Sequence, residues 1–176
     1  MNTKIQMPSG FTARKESKEL IISAEGKEVK REMFHPLIDL KIKDNEILLD
    51  SKKENRNMKK MMMTHSAHIK NMVRGLQKPF KYKLKVCGSH YPITVKVEGK
   101  NIIIINYLGQ KVPKKCKIVG DAKVTVNKDE ITVESMNKEY AGMTAGIIEK
   151  TCQVKNYDRR IFQDGIYIIE KDGKKI

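Results

Sequence analysis

The sequence predicts an α+β fold made by tandem duplication of two similar small domains, each a mostly antiparallel sheet packed against a helix. Two kinds of strand–turn–strand segment recur, in the same order, in the two halves of the 176-residue chain. A stretch with helical periodicity follows each set. A chain of this length is long enough for two small domains. We therefore expect a first domain over residues 1–88 and a second over residues 89–176.

The opening strands of the two halves share one turn. "LIISAEGKEVKREM" (20–33) and "ITVKVEGKNIIIIN" (93–106) both place Glu-Gly-Lys between two runs of strand-forming residues. A second segment follows in each half: "IDLKIKDNEILLDS" (38–51) and "DAKVTVNKDEITVES" (121–135) flank Asn/Asp turns with alternating residues. The matched positions are Leu40 with Val124, Ile42 with Val126, Glu46 with Glu130, Ile47 with Ile131 and Ser51 with Ser135. Two matches in the same order indicate duplication of one unit.

The first helix is expected within Asn55–Gly75. Its apolar residues recur at three- and four-residue steps and predict a buried stripe. The stripe consists of Met58, Met62, Ile69, Met72, Val73 and Leu76. The methionines are typical of adaptable core filling rather than of a cofactor site. Gly75 is expected to end the helix, and Lys78-Pro79 to prevent its continuation.

The second helix is expected near Asn137–Gln153, with Met143, Ile147, Ile148 and Thr151 facing the sheet. Gly142 and Gly146 would lower helix stability but permit close backbone packing. Between the helices, "FKYKLKVCGSHYPITVKV" (80–97) alternates basic and apolar residues and predicts strands. The domain boundary is expected at Gly88–Tyr91.

The charge balance points to a polyanionic partner. Lys and Arg number 36 against 21 Asp and Glu, which gives a formal net charge of +15. Nucleic acid commonly neutralises such a charge, although heparin or anionic lipid would also fit. Aromatic residues make up only 6%, which argues against a surface that mainly stacks unpaired bases. Neither the short apolar run Ile102–Ile105 nor the polar start predicts a membrane segment or a secretory signal.

Catalytic and metal-binding patterns are missing from the sequence. The three cysteines are far apart and form no CxxC, which predicts reduced intracellular thiols. His65 and His68 lie one helical turn apart without further ligands at a helpful spacing. No GxSxG, GxGxxG or GxxxxGK[ST] occurs. We therefore expect no enzyme, no metal and no cofactor; an RNA-modifying enzyme stays an alternative that would need a pocket with perturbed acid–base groups.

Basic residues are concentrated in two regions. Residues 52–85 hold eleven Lys and Arg against the single acid Glu54, an imbalance that favours phosphate contact over simple solvation. This set includes Lys59, Lys60, Lys70 and Arg74 on the first helix and Lys81, Lys83 and Lys85 on the next strand. "KVPKKCK" (111–117) adds four lysines without an acid.

The second basic region is the C-terminal "DRRIFQDGIYII" (158–169) with its flanks. Arg159 and Arg160 precede Phe162, and guanidinium groups bridge phosphate oxygens in two-pronged fashion. Gly165 is expected to let the backbone approach another chain. The trailing Lys171, Lys174 and Lys175 are expected to stay mobile until they meet an anion. Double-stranded RNA, which proteins recognise largely by shape, suits a rigid sheet edge of this kind.

Three segments resemble the archaeal and eukaryotic branch of the ribosomal protein L6 family. "DRRIFQDGIYI" (158–168) resembles its C-terminal signature, and "HSAHIKNMVRGLQKPFKYKLKVCGSHYPITV" (65–95) resembles its central block. "NYLGQKVPKK" (106–115) is similar to its Asn-Phe-Leu-Gly-Glu-Lys element, with Tyr107 and Gln110 substituted. The first turn departs from the family's frequent Gly-Pro-x-Gly, since Ser23-Ala24-Glu25-Gly26 stands there.

The resemblance implies a non-enzymatic structural protein of the large ribosomal subunit, built from tandem α/β units. It implies binding of large-subunit rRNA near the sarcin–ricin loop and the translation-factor docking region, chiefly through the second unit. The other expected partners are neighbouring large-subunit proteins and nearby translation factors. The expected location is the ribosome, with assembly in the nucleolus if the source is a eukaryote. A free RNA-binding module or RNA chaperone outside the ribosome is the alternative. The candidate RNA-binding residues are Lys155, Asn156, Arg159, Arg160, Gln163, Gly165, Tyr167, Lys171, Lys174, Lys175, Lys59, Lys70 and Arg74.

Overall fold

The computed structural model describes residues 2–43, 46–158 and 160–176. The chain divides into two compact units, Met1–Lys78 and Pro79–Ile176. This division comes earlier than the boundary expected at residue 88, because the strand Phe80–Cys87 pairs with two strands of the second unit.

The first unit contains two three-stranded sheets and one helix. Its elements are β1 (Asn2–Gln6), β2 (Phe11–Glu16), β3 (Glu19–Ala24), β4 (Lys27–Glu32), β5 (Ile38–Lys43), β6 (Glu46–Ser51) and α1 (Arg56–Gln77). The sheets have the orders β1-β6-β5 and β2-β3-β4, and all their described pairings are antiparallel. Helix α1 packs against β1, β3, β4 and β6, so that both sheets contribute to one core.

The second unit repeats this plan with a longer sheet. Its elements are β7 (Phe80–Cys87), β8 (Thr94–Glu98), β9 (Asn101–Ile105), the 3-10 turn Tyr107–Gly109, β10 (Lys114–Lys117), β11 (Lys123–Asn127), β12 (Glu130–Ser135), α2 (Lys138–Thr151), β13 (Gly165–Lys171) and β14 (Lys174–Lys175). The sheets have the orders β11-β12-β7-β13-β14 and β10-β9-β8, again with antiparallel pairings. Helix α2 packs against β7, β10, β12 and β13. The predicted α+β class is confirmed.

The duplicated segments occupy matching places in the two units. Strands β5 and β6 correspond to β11 and β12, and each pair is followed by the helix of its unit. Ser51 and Ser135 are both buried, and the Oγ of each accepts a hydrogen bond from the backbone N–H two residues on. The two units differ in the strands added to the shared elements. In the first unit β2 pairs with β3, whereas in the second β10 pairs with β9. Strands β13 and β14 have no counterpart among the described strands of the first unit.

The core of the second unit follows the alternation of β7. Phe80, Tyr82, Leu84 and Val86 are buried, and the lysines between them point away from the core. These apolar side chains pack with residues of β9, β12 and α2 in one cluster. Complete burial of a large apolar side chain contributes about 1.5–3 kcal/mol, so this cluster holds the long sheet and α2 together.

Both helices correct details of the sequence analysis. Helix α1 continues past Gly75, which is buried in its last turn, to Gln77, and Pro79 follows the C-cap Lys78. In α2, Met143 is 54% exposed rather than inward. Ile148 is completely buried as expected, and the other buried residues of α2 are Ala141, Thr144 and Ala145. Small residues face β7 because the sheet side of the interface already carries large side chains.

The two glycines of α2 are not required for close packing. A Cβ on Gly142 would make an ordinary contact of 3.5 Å with the Tyr82 hydroxyl, and a Cβ on Gly146 would meet nothing within 4 Å. The expectation that these glycines permit close approach is therefore wrong. In the described part of the chain, neither helix has the length and apolar character needed to cross a bilayer.

Candidate nucleic-acid interface

The C-terminal segment is anchored by a buried carboxylate. Asp164, at the end of the irregular stretch between α2 and β13, is 1% exposed. It accepts hydrogen bonds from the backbone N–H groups of Ser89 and His90, and its Oδ2 lies 2.7 Å from His90 Nδ1. Burial alone would raise the pKa of Asp164, but the hydrogen bonds from His90 and Ser89 outweigh it and lower that pKa. The start of β13 is thereby tied to the loop after β7.

Aromatic packing fixes the preceding residues. The Phe162 ring lies 4.8 Å from the His90 ring and 4.9 Å from the Tyr157 ring, centroid to centroid. The Asp158 carbonyl accepts from the N–H of Phe162 at 2.9 Å, and the Asp158 carboxylate accepts from the N–H of Arg160, also at 2.9 Å. This turn projects the Arg160 side chain into solvent, where it is 93% exposed. The candidate Arg159 lies outside the described residues.

Gly165 serves a contact within its own chain. A Cβ at this position would approach the ring end of Tyr167 to 3.0 Å. The Tyr167 hydroxyl donates a hydrogen bond to the carbonyl of Gln163 at 3.2 Å, so the ring folds back over Gly165. The expectation that Gly165 makes room for another chain is corrected, since Tyr167 already takes that space. Gln163 and Tyr167 themselves remain exposed.

The trailing lysines belong to a hairpin rather than to a mobile tail. Strand β14 pairs with the end of β13, Lys174 opposite Lys171 and Lys175 opposite Glu170. Asp172 and Gly173 form the turn with positive φ values of 50° and 82°. The three lysines are exposed and form a basic edge of the five-stranded sheet.

The basic run over 52–85 is distributed over the two units. Lys59, Lys70 and Arg74 are exposed on α1. On β7, Lys81 Nζ lies 2.8 Å from Glu134 and Lys83 Nζ lies 2.9 Å from Glu170. The neighbouring strands place a carboxylate opposite each of these two lysines, so a phosphate there would compete with an ion pair within the chain. Phosphate contact by the 52–85 set stays a prediction.

Lys155 and Asn156 line a depression of about 680 Å³, so that two of the candidates meet in one concave surface. Lys114 and Tyr157 line it too. Sequence reasoning recognised the basic run around Lys114 but did not bring it together with Lys155, because the two are joined only by the packing of β10 on α2. Charge patterning did not reveal the contact between Asp164 and His90, because it joins residues 74 positions apart.

The cysteines and histidines form no reactive centre among the described residues. All three thiols are free, and burial raises the pKa of Cys152 to about 12. The His68 Nε2 lies 3.1 Å from an Arg31 guanidinium nitrogen, and burial is the main cause that lowers the pKa of His65. Within the described ranges, no group of three or more His, Cys, Asp or Glu could hold a metal ion.

Comparison with known proteins gives consistent matches. Residues 91–165 match the family model for ribosomal protein L6. The chain is 37% identical over 171 residues to large ribosomal subunit protein uL6 of Methanococcus vannielii, covering 97% of this chain and 94% of the relative. For uL6 of Methanothrix thermoacetophila the identity is 39%, covering 96% of each chain. For uL6 of Nanoarchaeum equitans it is 42%, covering 98% of this chain and 94% of the relative.

Proposed function

We propose that this chain, which belongs to the ribosomal protein L6 family, is a structural, non-enzymatic constituent of the large ribosomal subunit that binds its rRNA. The observation that carries the proposal is 37–42% identity to large-subunit proteins along nearly the whole of both chains. The net charge of +15 supports the proposal, because cationic side chains neutralise RNA phosphates.

The second unit supplies the primary rRNA contact, near the sarcin–ricin loop and the region where translation factors dock. The arrangement of exposed cations on well-anchored backbone supports this assignment. These cations are Lys155 and Arg160, which precede β13, and the lysines of the β13–β14 edge. Arg159, Gln163 and Tyr167 belong to the same contact. Because Asp164 fixes this segment before binding, little conformational freedom is lost when RNA docks. Most contacts go to phosphate and sugar groups.

The first unit makes a secondary contact. Lys59, Lys70 and Arg74 on α1 face a different RNA segment or an acidic neighbouring protein of the subunit. Two observations support this contact: the three side chains are exposed, and α1 contains no acidic residue.

Sedimentation tests the assignment to the ribosome. We expect the protein to co-migrate with large subunits in moderate salt. Contacts to about six to ten phosphates would give a slope of roughly −5 to −9 when the logarithm of the binding constant for rRNA is plotted against that of the salt concentration. A protein found only in ribosome-free fractions would instead be a free RNA-binding module or chaperone, and a slope near zero would contradict phosphate binding.

The double variant Arg159→Glu/Arg160→Glu tests the primary contact. We expect reduced incorporation into large subunits with little change in melting temperature, because Arg160 is 93% exposed and its ion pair with Asp158, at 3.6 Å, lies in solvent, where such pairs contribute little to stability. Lys96→Glu/Lys100→Glu, at two exposed positions, is the matched control, because it reverses the same number of charges. Normal incorporation of the double variant would remove these arginines from the interface.

A further inference from the structure

The depression beside the C-terminal segment combines elements from distant parts of the second unit. The 3-10 turn Tyr107–Gly109 and the start of β10 form one wall, and the end of α2 with the residues after it forms the other. The buried Tyr107 joins the two walls, because its hydroxyl donates a hydrogen bond of 2.7 Å to the carbonyl of Cys152. Burial raises the pKa of Tyr107 to about 12, so the hydroxyl stays protonated as this bond requires.

Three cations meet in this depression without an acid between them. Lys114, Lys150 and Lys155 all line it, and in the described part of the chain none of them has a carboxylate within ion-pair distance. The Lys114 ammonium lies 3.9 Å from the centre of the Tyr107 ring and donates to the Thr151 carbonyl at 3.1 Å. Its pKa is lowered chiefly by burial and further by the charge of Lys155. An anion placed between them would relieve this repulsion.

An aromatic ring and two amides complete the lining. Tyr157 is 52% exposed and packs against Phe162, which leaves part of its ring open to solvent. Gln110 and Asn156, which carry side-chain amides, also line the depression. Asn156 and, across the depression, Leu108 hold left-handed backbone, with φ values of 64° and 51°. Asn tolerates this conformation, whereas for Leu108 it is strained.

We infer that this depression is a subsite for one unpaired nucleotide of RNA, with its phosphate between Lys114 and Lys155 and its base against Tyr157. The inference rests on the proposed function and deepens it. A phosphate satisfies the clustered cations, a base face suits the open ring, and the amides of Gln110 and Asn156 match the polar edge of a base. A paired nucleotide would not offer its base face, so the ligand is an extruded one. The site is a local exception in a chain poor in aromatic residues.

Salt dependence of rRNA binding tests the phosphate position. The full chain is titrated with a large-subunit rRNA transcript at several salt concentrations, as wild type and as Lys155→Met. We expect a several-fold loss of affinity and a salt slope shallower by about 1, as for the loss of one phosphate contact. Lys96→Met, which removes the same charge from an exposed position outside the depression, measures the effect of net charge alone. Equal changes in both variants would overturn the phosphate assignment.

Chemical probing of unpaired bases tests the stacking position. We expect the wild type to protect one unpaired nucleotide, Tyr157→Phe to keep that protection, and Tyr157→Ala to lose it with a roughly 5- to 150-fold drop in affinity. Melting temperatures show whether Tyr157→Ala is still folded. If it is not, the salt slope of Lys155→Met decides whether RNA occupies the depression, because Lys155 is exposed and its substitution leaves the fold intact.

The outcomes separate this subsite from the proposed function. Failure of the wild type to bind the transcript would overturn both. Binding of the wild type with no protected unpaired nucleotide, or with protection unaffected by Tyr157→Ala, would overturn only the subsite. Displacement of the transcript by excess free adenosine monophosphate would show that the depression takes free nucleotides and would likewise overturn it.

Discussion

Asp164 is buried, but it fixes the backbone of the segment whose exposed side chains form the candidate RNA-binding surface. Its carboxylate is buried and joins the loop after β7 to the start of β13 through His90 and Ser89. The exposed residues on either side of it carry the candidate RNA contacts. A sequence pattern could mark those exposed cations by their charge, but it could not mark Asp164, because its partners lie 74 and 75 residues away.

Substitution of Asp164 is expected to destabilise the second unit. Asp164→Ala leaves two backbone N–H groups without their acceptor, and we expect a loss of about 2–4 kcal/mol in the free energy of unfolding. Denaturant unfolding at pH 7 measures this loss. Asp129→Ala, at an exposed aspartate of the same unit, is the control and should change the free energy by less than about 0.5 kcal/mol. Similar stabilities for the two variants would contradict the anchoring role.

The same residue predicts a pH dependence. Because the folded pKa of Asp164 lies below its ordinary value of 3.8, its stabilisation is complete above that value and is lost as the pH falls through the folded pKa. The difference in unfolding free energy between wild type and Asp164→Asn should therefore be constant near neutral pH and shrink in strong acid. Urea unfolding between pH 7 and pH 2 measures it. A difference that grew towards acid would have the wrong sign for this mechanism.

At the scale of elements, local pattern predicts most of the fold. Alternation and Glu-Gly-Lys turns indicated β3, β4, β8 and β9, and the periodicity of the methionines indicated α1. The sequence pattern gave the wrong result where packing against another element determines the structure. Gly75 lies inside α1 because Lys78 N–H still bonds the Arg74 carbonyl before Pro79 stops the helix. Met143 is exposed because α2 turns its small residues towards the large side chains of β7.

Substitution by alanine is expected to have opposite effects on stability at two glycines of the second unit. Gly120 has a φ of +62°, and a Cβ there would lie 2.4 Å from the Tyr140 ring, so Gly120→Ala should cost about 2–4 kcal/mol. Gly146 lies within α2 with nothing within 4 Å of a Cβ, so Gly146→Ala should stabilise by about 0.5–1 kcal/mol. Thermal unfolding of both variants measures the signs. If both were destabilising to the same degree, the packing described around α2 would be incorrect.

At the scale of the whole molecule, duplication has produced two units with different additions. Strand β13 adds the buried Ile166 to the core of the second unit. Strands β13 and β14, which have no counterpart among the described strands of the first unit, also carry the basic edge next to the C-terminal segment. Charge alone favoured the first unit, because most of the basic run over 52–85 belongs to it, whereas the family resemblance favoured the second unit. Lys81 and Lys83 of that run lie on β7 of the second unit and pair with carboxylates, whereas Lys59, Lys70 and Arg74 lie exposed on α1 of the first unit.

A comparison of two triple variants of the full chain tests which unit makes the primary contact. Lys171→Glu/Lys174→Glu/Lys175→Glu changes the β13–β14 edge, and Lys59→Glu/Lys70→Glu/Arg74→Glu changes α1; both remove the same number of cations. Because the proposed phosphate contacts are concentrated in the second unit, the first triple should make the salt slope of rRNA binding shallower by about 3, and the second by about 1 or less. Circular dichroism checks that both variants are folded, since all six side chains are exposed. The reverse order of the two slopes would move the primary contact to α1, and equal slopes would mean that total charge, rather than the anchored C-terminal segment, determines how this protein holds RNA.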